Sequence, residues 1–477
     1  MPPPPDALST GIQILGLLVI ALVTIIGLRL LFYFDSFFFH WREYRQREPV
    51  TNDDLAAMTL PAVKVQITTR GSAGSTRVVA RGIGSVIAAV RSSPAAVKRA
   101  VSVEVITESA AQARRLRRKF AEAPISVDVQ VLPADYRTPK GTQLKARALH
   151  YMVEKRRRGW NRSSRDRTFI VHYDEESVFE PSELRRLLRV LATTTKRVLE
   201  GPIYYPLDYH DAGLLCRAME AQRPVACFEC RDVMESGVPL HLHGSNLVVD
   251  EALENEVGWD IGNLDGQPFI AEDYVFGALV FTHYGWDVFG WHGCVMLEQP
   301  PFSVRSAFRQ RYRWILGVLQ GVAMVQRLPE AEAPSTRLRH LVWGTRFRVA
   351  TFALGLPAGV LSVFYLISQA ALVLMNRGVS PLALPVVAWL AAVGFLWINV
   401  LVIGAWCNVS LARQLSWRER IAETISVISV APIAGMVESA AGFLAVMNWV
   451  IGRRTVTWLP TPKSARADRE AWAAAGR

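Results

Sequence analysis

Three short motifs in this chain of 477 residues combine the side chains that sugar transfer requires. In chain order they are Asp174-Glu175-Glu176, Ala271-Glu272-Asp273 and Gln310-Arg311-Tyr312-Arg313-Trp314. A carboxylate pair can hold a divalent cation, a further acid can take a proton, and an arginine beside a tryptophan can bind an anion and a sugar ring. Together the motifs predict transfer of a sugar from a nucleotide diphosphate.

Asp174 and Glu176 follow the apolar run Phe169–His172, which is typical of a buried strand. Positions i and i+2 directly after a strand point to the same side, so the two carboxylates are predicted to share Mg²⁺ or Mn²⁺ that bridges a diphosphate. The alternative is an acidic helix N-terminus, because Glu180-Pro181-Ser182-Glu183 follows closely.

Asp273, with Glu272 beside it, is the candidate general base. An inverting transfer needs a carboxylate that accepts the proton of the acceptor hydroxyl as the anomeric carbon is attacked. Apolar residues on both sides, Phe269-Ile270 and Tyr274-Val275-Phe276, limit the solvation of this acidic pair. The alternative is a helix N-cap at Asp273, and a capping carboxylate still leaves one oxygen free.

The third motif has helical spacing. On a helix Gln310, Arg313 and Trp314 lie on one face, where they would meet a diphosphate and a sugar together, whereas Arg311 points away. The alternative is an amphipathic helix next to the membrane, with arginine facing lipid and tryptophan at the interface.

Composition predicts a soluble domain with attached membrane helices. The chain has 51% hydrophobic residues, too many for an ordinary soluble protein, and 20% charged residues, too many for a pure transporter. Its net charge of +12 favours a cytoplasmic face beside anionic lipid, and nucleic acid is not expected because no binding motif accompanies the charge. Five cysteines give no disulfide framework.

Apolar runs define the predicted architecture. It comprises a Pro-rich tail at 1–10, a retained membrane anchor at 11–34, a globular domain at 60–330, membrane helices at 349–375 and 382–406, an interfacial helix at 412–420, a transmembrane or re-entrant segment at 424–451, and a basic tail at 452–477. Arg42, Arg45 and Arg47 place the globular domain in the cytoplasm, on the plasma membrane if the protein is bacterial. A break near Pro432 and Gly435 would keep the basic tail inside.

The globular domain alternates β-rich and helical runs. Strands are predicted at Val63–Thr68, Val101–Thr107, Val127–Leu132 and Phe169–His172, with helical stretches between them. This order predicts an α/β fold with a mostly parallel sheet. Arg70, Glu108 and Asp174 each follow a strand, so they are expected on one rim, where such sheets bind ligands.

Five ordered motifs resemble family 2 glycosyltransferases, and the chain is most similar to the egghead-type β-1,4-mannosyltransferases within that family. The resemblance covers roughly Leu60 to Gly317 and the flanking helix pattern. Its motifs are Thr69-Arg70-Gly71, the run from Lys140 to Leu149, Asp174-Glu175-Glu176, Ala271-Glu272-Asp273 and Gln310-Arg311-Tyr312-Arg313-Trp314.

The resemblance implies a GT-A fold (Rossmann-like), an inverting single displacement, Mg²⁺ or Mn²⁺, and a GDP- or UDP-hexose donor, GDP-mannose for the nearest relatives. It implies metal binding by Asp174 and Glu176, with Asp273 as the base. The donor-binding positions that it implies are Thr69, Arg70, Glu108, Lys145, Arg147, Gln310, Arg313 and Trp314. The acceptor-binding positions that it implies are His243, Gly244, Ser245 and Trp314.

Two departures from the family pattern affect what can be inferred about substrates. Glu176 stands where many members have aspartate, and Leu207–Asp250 matches the eukaryotic mannosyltransferases poorly. In that stretch a second kind of site is conceivable, because Cys227 and Cys230 followed by His241 and His243 offer zinc ligands. The alternative for these residues is a half-buried strand with free thiols.

Three functions are compatible with these residues. The leading one is transfer of a hexose, with mannose as a candidate, to a lipid-linked or glycan acceptor at the cytoplasmic membrane face. The second is a processive polysaccharide synthase, mannan- or glucan-like, coupled to export, although four membrane segments are few for a channel. The third is an inactive membrane scaffold, which intact acids argue against.

Overall fold

The computed structural model describes residues 7–45, 47–72, 74–159, 167–236, 242–328, 335–412, 415–454 and 461–469. Its strands are β1 (Ala62–Thr69), β2 (Val101–Thr107), β3 (Ser126–Val131), β4 (Thr168–Tyr173), β5 (Val178–Phe179), β6 (Val198–Glu200), β7 (Ile203–Tyr204), β8 (Leu247–Asp250), β9 (Asn263–Leu264), β10 (Gln267–Pro268), β11 (Phe289–Trp291) and β12 (Met296–Leu297).

Its helices are α1 (Ala7–Arg45), α2 (Asn52–Ala56), α3 (Ser75–Val90), α4 (Ala95–Ala100), α5 (Ala110–Lys119), α6 (Leu144–Gly159), α7 (Pro181–Thr193), α8 (Leu214–Met219), α9 (Arg223–Ser236), α10 (Glu251–Val257), α11 (Glu272–Tyr284), α12 (Val304–Val325), α13 (Ser335–Ala353), α14 (Gly355–Leu374), α15 (Ala383–Leu411) and α16 (Trp417–Val450), with a 3₁₀ turn at Tyr209–Asp211.

The central sheet has seven strands in the order β11-β6-β8-β4-β1-β2-β3. Neighbouring strands run parallel except at β8, which is antiparallel to both β4 and β6. The predicted fold class, an α/β domain with a mostly parallel sheet and separate apolar helices, is confirmed. A smaller sheet in the order β5-β12-β7 lies beside it.

The sheet forms because its strands alternate apolar and polar residues, so that one side of β1 packs into the main core. Val63, Val65 and Ile67 of β1 are fully buried in the main core. The register pairs Thr69 with Thr107 and Ile67 with Tyr173, so β1, β2 and β4 end at one edge. This edge positions the polar residues that follow each strand.

Four helices among the described residues are long and apolar enough to cross a membrane. They correspond to residues 8–39, 336–374, 383–411 and 417–450. Helices α1, α14 and α15 share one apolar cluster, in which Gly16 lets the ring of Tyr365 approach the backbone of α1 closely. Trp389 also donates a hydrogen bond to Thr24, at 3.1 Å. These helices support membrane association.

Helix α16 corrects two expectations. It continues unbroken through Pro432 and Gly435, so the expected break is absent. The expected separate helix at 412–420 is also absent from the described part of that range, because Ser416 and Glu419 form a capping box that starts α16 at Trp417. Residues 413 and 414 lie outside the described residues.

Both ends of α16 contact the α/β domain. Near the start of the helix, Glu423 pairs with Arg217 of α8 at 2.7 Å. Near its end, Asn448 donates a hydrogen bond to the hydroxyl of Tyr312 in α12, at 3.0 Å. Helix α16 therefore lies along the domain, and at Gly435 it also packs against Trp397 of α15.

Candidate active site

Lys145 is the centre of the candidate site. Its ammonium lies 2.5 Å from Asp174 Oδ1, 2.8 Å from the carbonyl oxygen of Gly244 and 3.7 Å from Glu272 Oε1. Lys145 belongs to the first turn of α6, Asp174 follows β4 and Glu272 begins α11. The fold thus brings together acids that are about a hundred positions apart in the sequence.

Asp273 adjoins this ammonium in the first turn of α11. The helix is capped at Ala271, so the predicted cap at Asp273 is wrong by two positions, although Asp273 Oδ1 accepts the N–H of Tyr274 at 2.8 Å. A Cβ at Gly244 would lie only 3.2 Å from both Asp273 Oδ2 and Lys145 Nζ, so the loop before Ser245 closes tightly over the acid.

The protonation of Asp273 suits a base that works near neutral pH. Burial, and next the negative charge of Glu272, raise its pKa to about 7, while Lys145 opposes the rise. A carboxyl group with a pKa near the working pH can both exist as the base and accept a proton effectively.

The motif after β4 forms a turn, in which Ser177 donates its backbone N–H to the carbonyl oxygen of Asp174. Each of its three acids has a different partner. Asp174 contacts Lys145, Glu175 accepts the backbone N–H of Arg70 at 3.0 Å, and Glu176 contacts Lys463 at 2.5 Å. The turn therefore presents Asp174 and Glu176 to two ammonium groups.

Glu298 belongs to the same group of acids, and sequence reasoning missed it. It is buried and accepts hydrogen bonds from the hydroxyls of Ser177 and Ser245. Burial, followed by the charges of Glu176 and Asp174, raises its pKa to about 8. The only sequence signal was its place two residues before Pro300-Pro301, which no motif marks.

The acids fit a hard divalent cation. Carboxylate oxygens are the ligands that Mg²⁺ and Mn²⁺ prefer. Burial, and next the charges of Glu176 and Asp174, raise the pKa of Glu298, so a third acid lies near this pair. A cation held by Asp174 and Glu176 would lie beside that third acid.

Three predicted donor-binding residues meet on the rim of the sheet. Glu108, after β2, lies 3.2 Å from Arg147 of α6 and 3.8 Å from Arg70, which follows β1. Thr69 Oγ1 accepts the backbone N–H of Gly71 at 3.0 Å and so shapes the turn after β1. The two arginines are half-exposed here, which leaves them accessible to an anionic ligand.

The residues of the third motif lie on different sides of helix α12. Arg311 is fully buried between Glu220 and Glu438, and Gln310 Oε1 accepts a hydrogen bond from it at 2.6 Å. Trp314 packs under the guanidinium group of Arg311, 4.7 Å from the ring centre. Gln310 and Trp314 therefore contact the buried arginine, and their contact with the donor or acceptor stays a prediction.

Arg313 alone of this motif points toward the acids. Its Nη2 atom donates a hydrogen bond to Thr461 Oγ1 at 3.2 Å. Burial lowers its pKa to about 10, and the charge of Glu272 counteracts that shift. Arg311 also points away from this face, as predicted. It is buried in ion pairs, so changing it would disturb the packing of α12.

The segment 461–469 supplies a further cation that sequence reasoning missed. Lys463 lies against Glu176, and Asp468 accepts a hydrogen bond from Ser306 at 2.5 Å. Burial lowers the pKa of Lys463, but Glu176, Glu175 and Asp174 together outweigh burial and raise it. The basic tail carried no signal that it would reach acids almost three hundred positions earlier.

The loop at 243–245 joins the acids to a second buried cluster. His243 Nδ1 lies 3.1 Å from Glu200, and ligand atoms of Glu200, Cys230 and His243 all lie within 4.8 Å of one another. Burial raises the pKa of the Cys230 thiol well above its usual value, and Arg348 Nη2 lies 3.9 Å from its sulfur.

Glu200, Cys230 and His243 are close enough to share a metal ion, but the positive charge of Arg348 beside the sulfur opposes a cation there. Of the other two suggested ligands, Cys227 Sγ contacts the backbone of Ile203, at 3.5 Å from its nitrogen. His241 lies outside the described residues.

Comparison with known proteins relates the chain to sugar transferases. The family model described as glycosyl transferase family group 2 matches residues 169–407, which is half of the chain. A β-1,4-mannosyltransferase of Drosophila melanogaster (egh) is 26% identical over 219 residues, 46% of this chain and 44% of its own length. Another from Caenorhabditis elegans (bre-3) is 26% identical over 192 residues, 40% of each chain.

The chain therefore spans less than half the length of these curated relatives. Among solved structures, it is similar to a mannosyltransferase from Pyrobaculum calidifontis in complex with GDP-Man and Mn²⁺. That similarity has a TM-score of 0.45 and 16% identity, and it covers 88% of this chain and 98% of the other.

Proposed function

Because the chain belongs to glycosyl transferase family group 2, we propose that it transfers a hexose from a nucleotide-sugar donor to a lipid-linked or glycan acceptor at a membrane face. The observation that carries this proposal is the convergence of Asp174, Glu272 and Asp273 around the ammonium of Lys145. GDP-mannose is the proposed donor, supported by what the names of the similar proteins describe.

The proposed mechanism is a single displacement with inversion. Asp273 takes the proton of the acceptor hydroxyl while that oxygen attacks the anomeric carbon, and the nucleoside diphosphate leaves from the opposite side. Arg70 and Arg147 bind the nucleotide end of the donor on the rim of the sheet. Mg²⁺ or Mn²⁺, held by Asp174 and Glu176, would neutralise the charge that develops on the leaving diphosphate.

A donor panel tests the reaction. Purified full-length protein in detergent is given GDP- and UDP-sugars with Mn²⁺ or Mg²⁺, and the released nucleotide is measured. Release of GDP from GDP-mannose above the other donors is the expected result. Release from none of them would leave the scaffold alternative, and long products would favour the processive synthase.

The pH dependence follows from the raised pKa of Asp273. The base acts only when deprotonated, so kcat/KM should fall about tenfold per pH unit below about pH 7. A nearby divalent cation would lower the pKa of Asp273 and move this limb to a more acidic pH. The measurement is kcat/KM from about pH 5 to pH 9 at saturating metal.

Glu298→Gln is a control for this profile, because Glu298 is another buried acid with a raised pKa beside the metal-site acids. The acid limb should persist in that variant. If the decrease of kcat/KM at acidic pH disappears in Glu298→Gln, or if kcat/KM of the wild type does not change with pH over this range, the assignment of Asp273 as the base is wrong.

We propose three membrane crossings, by α1, α14 and α15, with α16 lying at the membrane surface. Ion pairs at Glu423 and Glu438 and the bond at Asn448 hold α16 along the α/β domain, while its exposed face is apolar. The domain and segment 461–469 are then on the same side, which the arginines after α1 make the cytoplasmic side.

Cysteine labelling tests this topology. Arg377→Cys lies in the loop between α14 and α15, and Arg453→Cys follows α16, while four of the five native cysteines are buried. In intact cells an impermeant maleimide should label the cysteine at position 377 and should reach that at position 453 only after permeabilisation. Labelling of both from outside would mean that α16 crosses the membrane.

A further inference from the structure

A groove between α12 and α16 has no role in the mechanism described above. Its volume is about 610 Å³, within the range of about 300–1,000 Å³ that is usual for small-molecule sites. Its lining combines apolar and basic side chains, namely Val304, Arg305, Phe308, Arg309, Tyr312, Leu444 and Asn448.

The basic residues of the groove continue toward the candidate active site. Arg305, Arg309 and Arg313 are spaced by four residues on α12 and so lie on one face of the helix. Burial and the charge of Arg305 lower the pKa of Arg309, and Arg309 acts in the same way on Arg313. Positive charges held this close together favour an anion, and arginine matches the geometry of phosphate oxygens.

The apolar residues of the groove border the proposed membrane surface. Phe308 of α12 and Leu444 of α16 line it, and Leu444 belongs to the exposed apolar face of α16 together with Met436 and Met447. Phe302, just before α12, packs in one cluster with Leu401 of α15, where that helix meets the domain. A ligand in the groove would therefore have a hydrocarbon part that reaches the bilayer.

Arg313 lies one helical turn beyond Arg309 of the groove and interacts with one of the acids. This residue contacts Thr461 of the segment that carries Lys463, and its charge interacts with that of Glu272. We propose that the groove binds the acceptor and that the acceptor is a lipid with a phosphate in its head group. Its phosphate contacts Arg305 and Arg309, its chain follows Phe308 and Leu444, and its hydroxyl end reaches Asp273.

This inference rests on the proposed function, but its test is a binding measurement that needs no turnover. Radiolabelled farnesyl phosphate is the probe, titrated against full-length protein in phosphatidylcholine nanodiscs. The double variant Arg305→Glu/Arg309→Glu should bind it at least about tenfold more weakly than the wild type, because two charge-assisted contacts are lost. Arg114→Glu/Arg118→Glu is the matched control, with the same spacing on α5, and should bind normally.

Competition identifies the ligand class. Unlabelled farnesyl phosphate and phosphatidylglycerol, which both carry a phosphate on an apolar chain, should displace the probe, whereas farnesol and inorganic phosphate should each be at least about tenfold poorer. Equal binding by both double variants, or equally good competition by farnesol, overturns the proposal. Arg305→Gln/Arg309→Gln, which removes charge without reversing it, should show the same loss, so a folding defect of the Glu variant does not decide the outcome.

A separate arm distinguishes this proposal from the function on which it rests. Donor binding is followed by GDP titration in the presence of Mn²⁺, and it should be unchanged in the Arg305/Arg309 variants. If wild-type protein releases no nucleotide from any donor but still binds farnesyl phosphate through these arginines, the transferase proposal fails and the lipid site stands.

Discussion

Asp273→Asn is expected to lower the turnover number by about a hundredfold or more while the protein stays folded and binds its donor. The amide keeps the shape of the side chain and can still accept the N–H of Tyr274, but it cannot take the proton of the acceptor hydroxyl. The change also removes a buried acid whose pKa is already raised, so stability should change little.

The measurement is kcat and the dissociation constant for GDP, side by side. Asp265→Asn is the matched control, because Asp265 is an exposed acid of the same domain, paired with Arg327 at 2.8 Å. It should retain normal activity. A variant of Asp273 that keeps its maximal rate but loses donor affinity would make this acid a binding group instead of the base.

Asp174→Ala should remove both transfer and its dependence on the divalent cation. Its loss removes one of the two proposed metal ligands, and Glu175 does not replace it because it accepts the backbone N–H of Arg70, so Mg²⁺ or Mn²⁺ should bind more weakly. Lys145 keeps Glu272 and the carbonyl oxygen of Gly244 as partners, so the fold should survive.

Two readouts separate metal binding from catalysis in this variant. Direct Mn²⁺ binding, followed by electron paramagnetic resonance in the presence of GDP, should weaken by at least about tenfold, and nucleotide release should cease. Asp128→Ala, which breaks a surface pair with Lys155, should change neither. Undiminished turnover of Asp174→Ala, or of wild-type protein in excess chelator, contradicts the metal site.

The order of strands and the rim residues could be predicted because they depend on local patterns. Short runs rich in β-branched and aromatic residues mark β1, β2 and β4, and the residue after each strand lies at one edge of a parallel sheet. The direction of the strands was enough to predict that Arg70 and Glu108 lie close together. The antiparallel β8 could not be predicted, because its short apolar run carries no sign of direction.

Long-range contacts account for what sequence reasoning missed. Glu298 and Lys463 lack a motif, and only the fold brings them to Asp174 and Glu176. Helical periodicity correctly separated Arg311 from Arg313, yet it could not show that Glu220 and Glu438 would bury Arg311. Pro432 suggested a break in α16, because proline removes one backbone hydrogen bond of the helix. Packing of α16 along the domain and the capping box at Ser416 stabilise the helix by more than that bond contributes.

The contacts of Lys463 with Glu176 and of Lys145 with Asp174 give both acids a counterion from the same chain. These are the acids that the proposed divalent cation would also need. Binding of that cation would then exchange one counterion for another, so its affinity would measure the difference between two ion-paired states. The final stretch of the chain thereby enters the energetics of a site formed almost three hundred positions earlier.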